Sequence, residues 1–182
     1  MRTKLQALEN PSFVMGLAYR FSKIKFGKVL TPLKVAYSRL PLSFTFFSNK
    51  IGSLDQKLKL RHDLALLIRH HVAQINKCTF CMDIGIALAI EGKKYSEKFY
   101  HLEEINSNPL YSEAERAAIA FADELTRLKQ VSDRTFDGLK NHFSEREIVE
   151  MAWLVATEHY YNIMNVAFDI ESDGLCDIKK RH

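Results

Sequence analysis

The chain has 182 residues, 47% of them hydrophobic and 26% charged, with seven glycines and four prolines; this suffices for one compact domain, or one domain plus an arm, and not for two full domains. The balance excludes a low-complexity or collagen-like chain, and the longest apolar runs, around Met151 to Ala156 and Ile84 to Ile90, cannot span a bilayer. The net charge of +4 hides an asymmetry, because residues 1–50 hold nine Lys/Arg and one acid while the remainder holds seventeen basic and twenty-one acidic residues.

The N-terminal quarter also carries Phe13, Tyr19, Phe21, Phe26, Tyr37, Phe44, Phe46 and Phe47. We read residues 1–52 as a basic, aromatic helical arm docked on its own core or on a neighbouring subunit. Nucleic acid or an anionic membrane surface is the disfavoured alternative, since spread-out charge is usually a solvated face. Met1-Arg2-Thr3-Lys4 is not followed by the apolar stretch of a signal peptide, so the expected location is cytoplasmic.

In chain order, residues 11–28 read as an amphipathic helix with Phe13, Leu17, Phe21 and Ile24 at three- and four-residue spacing. Pro32 and Pro41 punctuate shorter segments. From Ser53 the apolar stripe Leu54, Leu58, Ala65, Ile68, Val72 and Ile75, flanked by Leu60, Leu64 and Leu67, predicts a helix buried on more than one side. A new helix runs from about Cys78 to Glu91, with Gly92 placed as a left-handed C-cap. A short segment spans Ser96 to Glu104. Ser112 to Glu115 and Ser144 to Glu147 read as capping boxes that start two further helices, and Ser132 caps one between them. No strand alternation is visible, so the expected fold is an all-α helical bundle with its core domain over residues 53–182.

The sharpest chemical signal is Cys78-Thr79-Phe80-Cys81 at the start of a helix, where unpaired backbone N–H groups and the helix dipole favour a thiolate. Two intervening residues let the sulfurs close a disulfide, so one can attack and the other resolve. The same spacing is half of a zinc site, and buried cysteines are often inert; zinc needs further ligands, and Cys176 stands alone far away. No cofactor is implied by any other motif.

The segment Val72-Ala73-Gln74-Ile75-Asn76-Lys77-Cys78-Thr79-Phe80-Cys81 resembles the signature of the alkylhydroperoxidase D-like branch of the carboxymuconolactone decarboxylase family. The resemblance continues through Ser112 to Leu125, Phe143 to Val149 and Tyr161 to Asn165, and covers about residues 54–176. It implies a helical homo-oligomer, a trimer or hexamer, with the cysteine pair in a pocket, Cys81 as the attacking thiol and Cys78 as the resolving one. It also implies an antioxidant, peroxiredoxin-type oxidoreductase acting on a small hydroperoxide or disulfide, with electrons from an unidentified thiol reductant. Where the family's peroxidases carry a glutamate and a histidine, this chain has Leu66 and Gly85. The resulting expectation is weak peroxide turnover and better disulfide reduction, because exchange needs mainly an accessible thiolate and a leaving thiol.

Candidates to supply the missing proton transfer are Asp83, two residues beyond Cys81, and His71, which continues the Leu60, Leu64, Leu67 stripe towards the cysteine turn. His70 and His62 are expected on solvated faces. Glu158, His159, Asn162 and Asn165 interrupt the apolar stripes of the last long helix and are expected to converge on a pocket, a subunit contact or a structural network. The competing reading of the whole chain is a catalytically silent binding or assembly module on the same scaffold.

Overall fold

The structure is a computed structural model that describes residues 3–8, 10–92 and 97–180. Among the described residues there are helices and no strands. None of those helices is long and apolar enough to cross a membrane.

Helix α1 (Phe13–Phe26) ends at Gly27, whose φ of 75° is the left-handed conformation glycine adopts without a steric penalty. The helix forms where periodicity places it, but its face is the reverse of the expected one. Phe13, Leu17, Phe21 and Ile24 point to solvent, and Met15, Ser22 and Phe26 are buried. The Ser22 hydroxyl accepts from the Leu30 N–H at 3.0 Å and donates to the Lys28 carbonyl at 2.8 Å, so a polar residue pins the following loop and fixes the rotation of α1.

Two π-helical turns, Leu33–Tyr37 and Ser43–Ser48, lead into α2 (Asn49–Asp55). The helix expected from Ser53 onward is interrupted before α3 (His62–Ile75). Glu150, from a distant part of the chain, accepts the N–H groups of both Lys59 and Leu60 at 2.8 Å, replacing the internal bonds that a continuous helix would have made.

Helix α3 is the centre of the bundle and packs on α4 (Thr79–Glu91), α5 (Glu113–Leu128) and α7 (Glu145–Val166). Its Leu64, Ala65, Leu66, Leu67 and Ile68 are all buried, as the broad apolar face requires. Both capping boxes are present, Ser112 with Glu115 and Ser144 with Glu147, and Ser132 accepts the Thr135 N–H at the start of α6 (Asp133–Lys140). Gly92 departs from expectation, with φ of −77° and no left-handed cap. Of the segment expected over 96–104, Ser96 lies outside the described residues, and the rest forms short 3-10 turns at Glu97–Tyr100 and Leu102–Glu104.

The arm builds a second core. Met15, Phe26, Leu30, Leu33, Val35 and Tyr37 pack with Ala73, Cys78, Phe80, Cys81 and Ala87, and α8 (Leu175–Lys180) adds Leu175 to the same cluster. The N-terminal segment thus closes over the helix that bears the cysteines.

Candidate active site

The local sequence places the sulfurs through two overlapping caps. At the end of α3, Lys77 takes a left-handed φ of 56°. The Cys78 N–H then reaches the Ala73 carbonyl at 2.9 Å, and the Lys77 N–H reaches the Gln74 carbonyl at 3.0 Å. This is a Schellman closure, and its last residue is Cys78. Cys78 is at once the N-cap of α4, with its sulfur accepting the Cys81 N–H at 3.3 Å. The chain therefore turns from one helix into the next at the first cysteine, and the second follows one helical turn later.

Cys78 and Cys81 are joined as a disulfide. Both are buried, and of the two Cys81 is the one that lines a cavity of about 350 Å³. Apolar side chains of the arm, Leu30, Leu33 and Phe44, wall one part of it, and Leu66, Phe80, Ile84 and Leu88 of α3 and α4 wall another. Asn165 of α7 directs its amide Nδ2 at the pair, 3.3 Å from Cys81 Sγ and 3.8 Å from Cys78 Sγ. An amide donor at that position stabilises negative charge on sulfur.

Arg69, Asp55 and Glu158 also line the cavity and belong to a polar network that extends behind it. Arg69 donates to Glu158 at 3.1 Å, to Asp55 at 2.8 Å and to Thr157 at 3.0 Å. Asn162 donates to Glu158 at 2.7 Å and accepts from Asn76 at 2.8 Å, and Asn76 also meets His159 at 3.1 Å. Burial pushes the Glu158 carboxyl above its ordinary range, against the opposing pull of Arg69 and Asn162. The Tyr161 hydroxyl, also on the cavity wall, is pushed up to about 12 by burial. The convergence expected of Glu158, His159, Asn162 and Asn165 is thus largely a structural network, with Asn165 alone among them bonded to the sulfurs.

The remaining sequence candidates go elsewhere. Asp83 is buried beside the pair in sequence, yet its oxygens accept from the Ser172 hydroxyl and from the N–H groups of Leu175 and Cys176 at 2.8 to 2.9 Å. Burial raises its carboxyl, but these donors outweigh that and hold it below the usual value. It anchors the start of α8 and is absent from the cavity wall. His71 bonds Asp123 at 3.0 Å and lines a separate cleft with Arg116 and Arg127. Cys176 takes no part in the disulfide. Among the described residues no group of three or more His, Cys, Asp or Glu side chains gathers as a metal site.

His70 overturns its expected solvation. It is 4% exposed, packs edge-on against the Phe99 ring and lines the same cavity as Cys81. Leu66 and Gly85 line this cavity too.

No family model matches the chain. An uncharacterized protein of Escherichia coli, YnjA, is 28% identical over 158 residues, covering 86% of each chain. The structure is similar to the alkylhydroperoxidase AhpD core of a peroxidase-related protein from Ralstonia eutropha, with a TM-score of 0.81 and 17% identity over 96% of this chain and 94% of that one. It is also similar to the debrominase Bmp8, in a cysteine-to-alanine form complexed with 2,3,4-tribromopyrrole, with a TM-score of 0.80 and 20% identity over 100% and 97% of the two chains. The chain has the all-helical alkylhydroperoxidase D-like fold, the carboxymuconolactone decarboxylase type, with its CxxC pair bonded at the mouth of α4.

Proposed function

We propose that this chain is a thiol-disulfide oxidoreductase that reduces small organic hydroperoxides or disulfides at Cys81. The observation that carries the reading is the placement of the disulfide: Cys81 faces an apolar cavity, with Asn165 donating to its sulfur and Cys78 bonded behind it. In the reduced protein the Cys81 thiol attacks the terminal peroxide oxygen, giving a sulfenic acid and an alcohol. Cys78 then displaces water to form the observed bond. An external dithiol attacks Cys81 Sγ and releases Cys78 as thiolate, a leaving group stabilised by the Cys81 N–H it already accepts.

The test is steady-state turnover of tert-butyl hydroperoxide and of a small aromatic disulfide with dithiothreitol as donor. Turnover lost in Cys81→Ser supports the reading; full turnover in that variant removes it. Absence of turnover with either substrate in the wild type removes it too.

A second reading is favoured by one similarity, that to the debrominase seen with tribromopyrrole. The aromatic and aliphatic cavity wall suits a flat halogenated ring, and reductive debromination balances as an aryl bromide and two thiols giving the arene, a disulfide and HBr. Bromide release from 2,3,4-tribromopyrrole, dependent on Cys81, is the distinguishing measurement.

We also propose a homo-oligomer. The exposed apolar face of α1 has no acidic residue, carries Arg20, Lys23 and Lys25 at its margins, and matches in charge the net acidic remainder of a second copy.

A further inference from the structure

His70 is buried, yet one of its ring nitrogens is unaccounted for. Nδ1 is shielded from solvent and has no hydrogen-bond partner among the described residues. The ring is held from its other side by the Phe99 backbone, which favours the protonated form. A backbone carbonyl there accepts Nε2–H, which leaves the lone pair on Nδ1. The nitrogen lies 4.0 Å from where a β-carbon on Gly85 would stand, and a glycine at this position keeps the space in front of it open.

The cavity explains why a lone pair should be kept there. Cys81, Gly85 and His70 share its wall, so a molecule seated against the Cys81 sulfur lies in the same cavity as the imidazole. Buried polar atoms without a partner are rare because each costs about 1 to 3 kcal/mol, and a catalytic role is one of the explanations for keeping such an atom. The other titratable or charged groups on this wall are Glu158, Arg69, Asp55, Tyr37 and Tyr161, with His71 adjacent in sequence. Asp55 and Glu158 are held by Arg69, Glu158 also accepts from Asn162, and burial raises both tyrosine hydroxyls, so of the titratable groups on this wall His70 is the one with a buried atom left unpaired among the described residues.

We infer that His70 is the proton-transfer residue of the Cys81 site, an inference that rests on the hydroperoxide reading above. Its Nδ1 takes the Cys81 thiol proton as sulfur attacks the terminal oxygen, the O–O bond breaks, and the same proton passes to the departing alkoxide, giving sulfenic acid and alcohol. The imidazole returns unchanged. Two electrons move from sulfur to the peroxide and no further oxidant or reductant enters the step. The expectation of weak peroxide turnover, drawn from Leu66 and Gly85, is replaced by turnover that depends on a histidine from the neighbouring helix.

The experiment compares wild type, His70→Ala, His70→Phe and Cys81→Ser in tert-butyl hydroperoxide turnover with dithiothreitol, with thermal melts to establish folding. Both His70 variants are expected to lose about 100-fold in kcat/KM, a typical general acid–base contribution. Added imidazole restores His70→Ala, which leaves a hole for it, and not His70→Phe, which fills that hole. The wild-type rate is expected to hold through neutral pH and fall only near the His70 value of about 4, whereas the imidazole-restored rate falls near that base's own value, about 6.5 to 7. Wild-type turnover in His70→Ala, or a loss that imidazole cannot restore, overturns the inference. If Cys81→Ser is inactive while His70→Ala is not, only this inference fails; if Cys81→Ser retains turnover, the hydroperoxide reading fails with it.

Discussion

Asn165 Nδ2 stands 3.3 Å from Cys81 Sγ, reaching the cavity-facing sulfur from a helix more than eighty residues away in sequence. Replacing it by leucine keeps the volume and removes the donor. The reduced protein should then react with iodoacetamide at Cys81 about tenfold more slowly at fixed pH, the equivalent of one charge-assisted hydrogen bond of about 1.5 kcal/mol. Mass spectrometry resolving Cys78 from Cys81 reads this directly, and an unchanged Cys81 rate would make the contact merely steric.

Arg69 is the cation of a buried cluster, and Glu158 is its deepest anion. Arg69→Met should destabilise the fold by about 3 to 5 kcal/mol, because it strands a buried carboxylate rather than removing a favourable pair. The sign with pH follows from the raised Glu158 value. In the unfolded chain the carboxyl ionises near its ordinary value, while the folded one holds its proton longer, so the group favours folding at low pH and that advantage is lost as pH rises through the folded value. Urea denaturation of Arg69→Met should therefore show a smaller deficit at pH 4 than at pH 8. An equal deficit at both would mean that Glu158 is not what the arginine compensates.

How much of this site is legible in the sequence depends on how local its causes are. Capping boxes at Ser112 and Ser144 reveal their helices because both partners lie three residues apart. The cysteine pair is equally local, and so is the turn that presents it. The gap between α2 and α3 is invisible because its backbone is satisfied by Glu150, about ninety residues onward. The choice between His70 and His71 fails for another reason: Leu64 to Ile68 are buried on every side of α3, so periodicity does not say which face meets α4. Leu60, used to set that phase, lies outside the helix. The only sequence signal for His70 is Gly85, whose missing side chain leaves the opening that the imidazole faces.

Burial, reinforced by His71, lowers His70 from 6.5 to about 4. Below pH 6.5 the unfolded chain therefore takes up a proton that the folded one refuses, and stability falls until about pH 4, by on the order of 3 kcal/mol from this group. His70→Leu should abolish that share of the acid sensitivity, so that the stability difference between wild type and variant shrinks or reverses between pH 7 and pH 4. Parallel stability curves would show that His70 titrates normally in the fold. His71→Asn, whose native side chain bonds Asp123 in the other cleft, should leave hydroperoxide turnover unchanged.

The exposed stripe on α1 carries the assembly proposal. Phe13 is 83% and Ile24 76% exposed, with Leu17 and Phe21 between them on one face. Four large apolar side chains in a row cost free energy in water, roughly 25 cal/mol for each Å² left uncovered. Two such faces packed on each other would bring the Arg20, Lys23 and Lys25 of both copies together, which opposes a symmetric α1 pair. A head-to-tail contact instead lays the basic arm of one subunit on the net acidic remainder of the next, and contacts of that kind make a ring where the rotation between subunits closes. Light scattering should then give a mass of three or six chains that falls towards 21.0 kDa in Leu17→Asp/Phe21→Asp. High salt should weaken the wild-type assembly, since screening removes the charge match. A monomeric wild type at micromolar concentration rules out assembly, and a double variant with undiminished mass assigns the contact to another face.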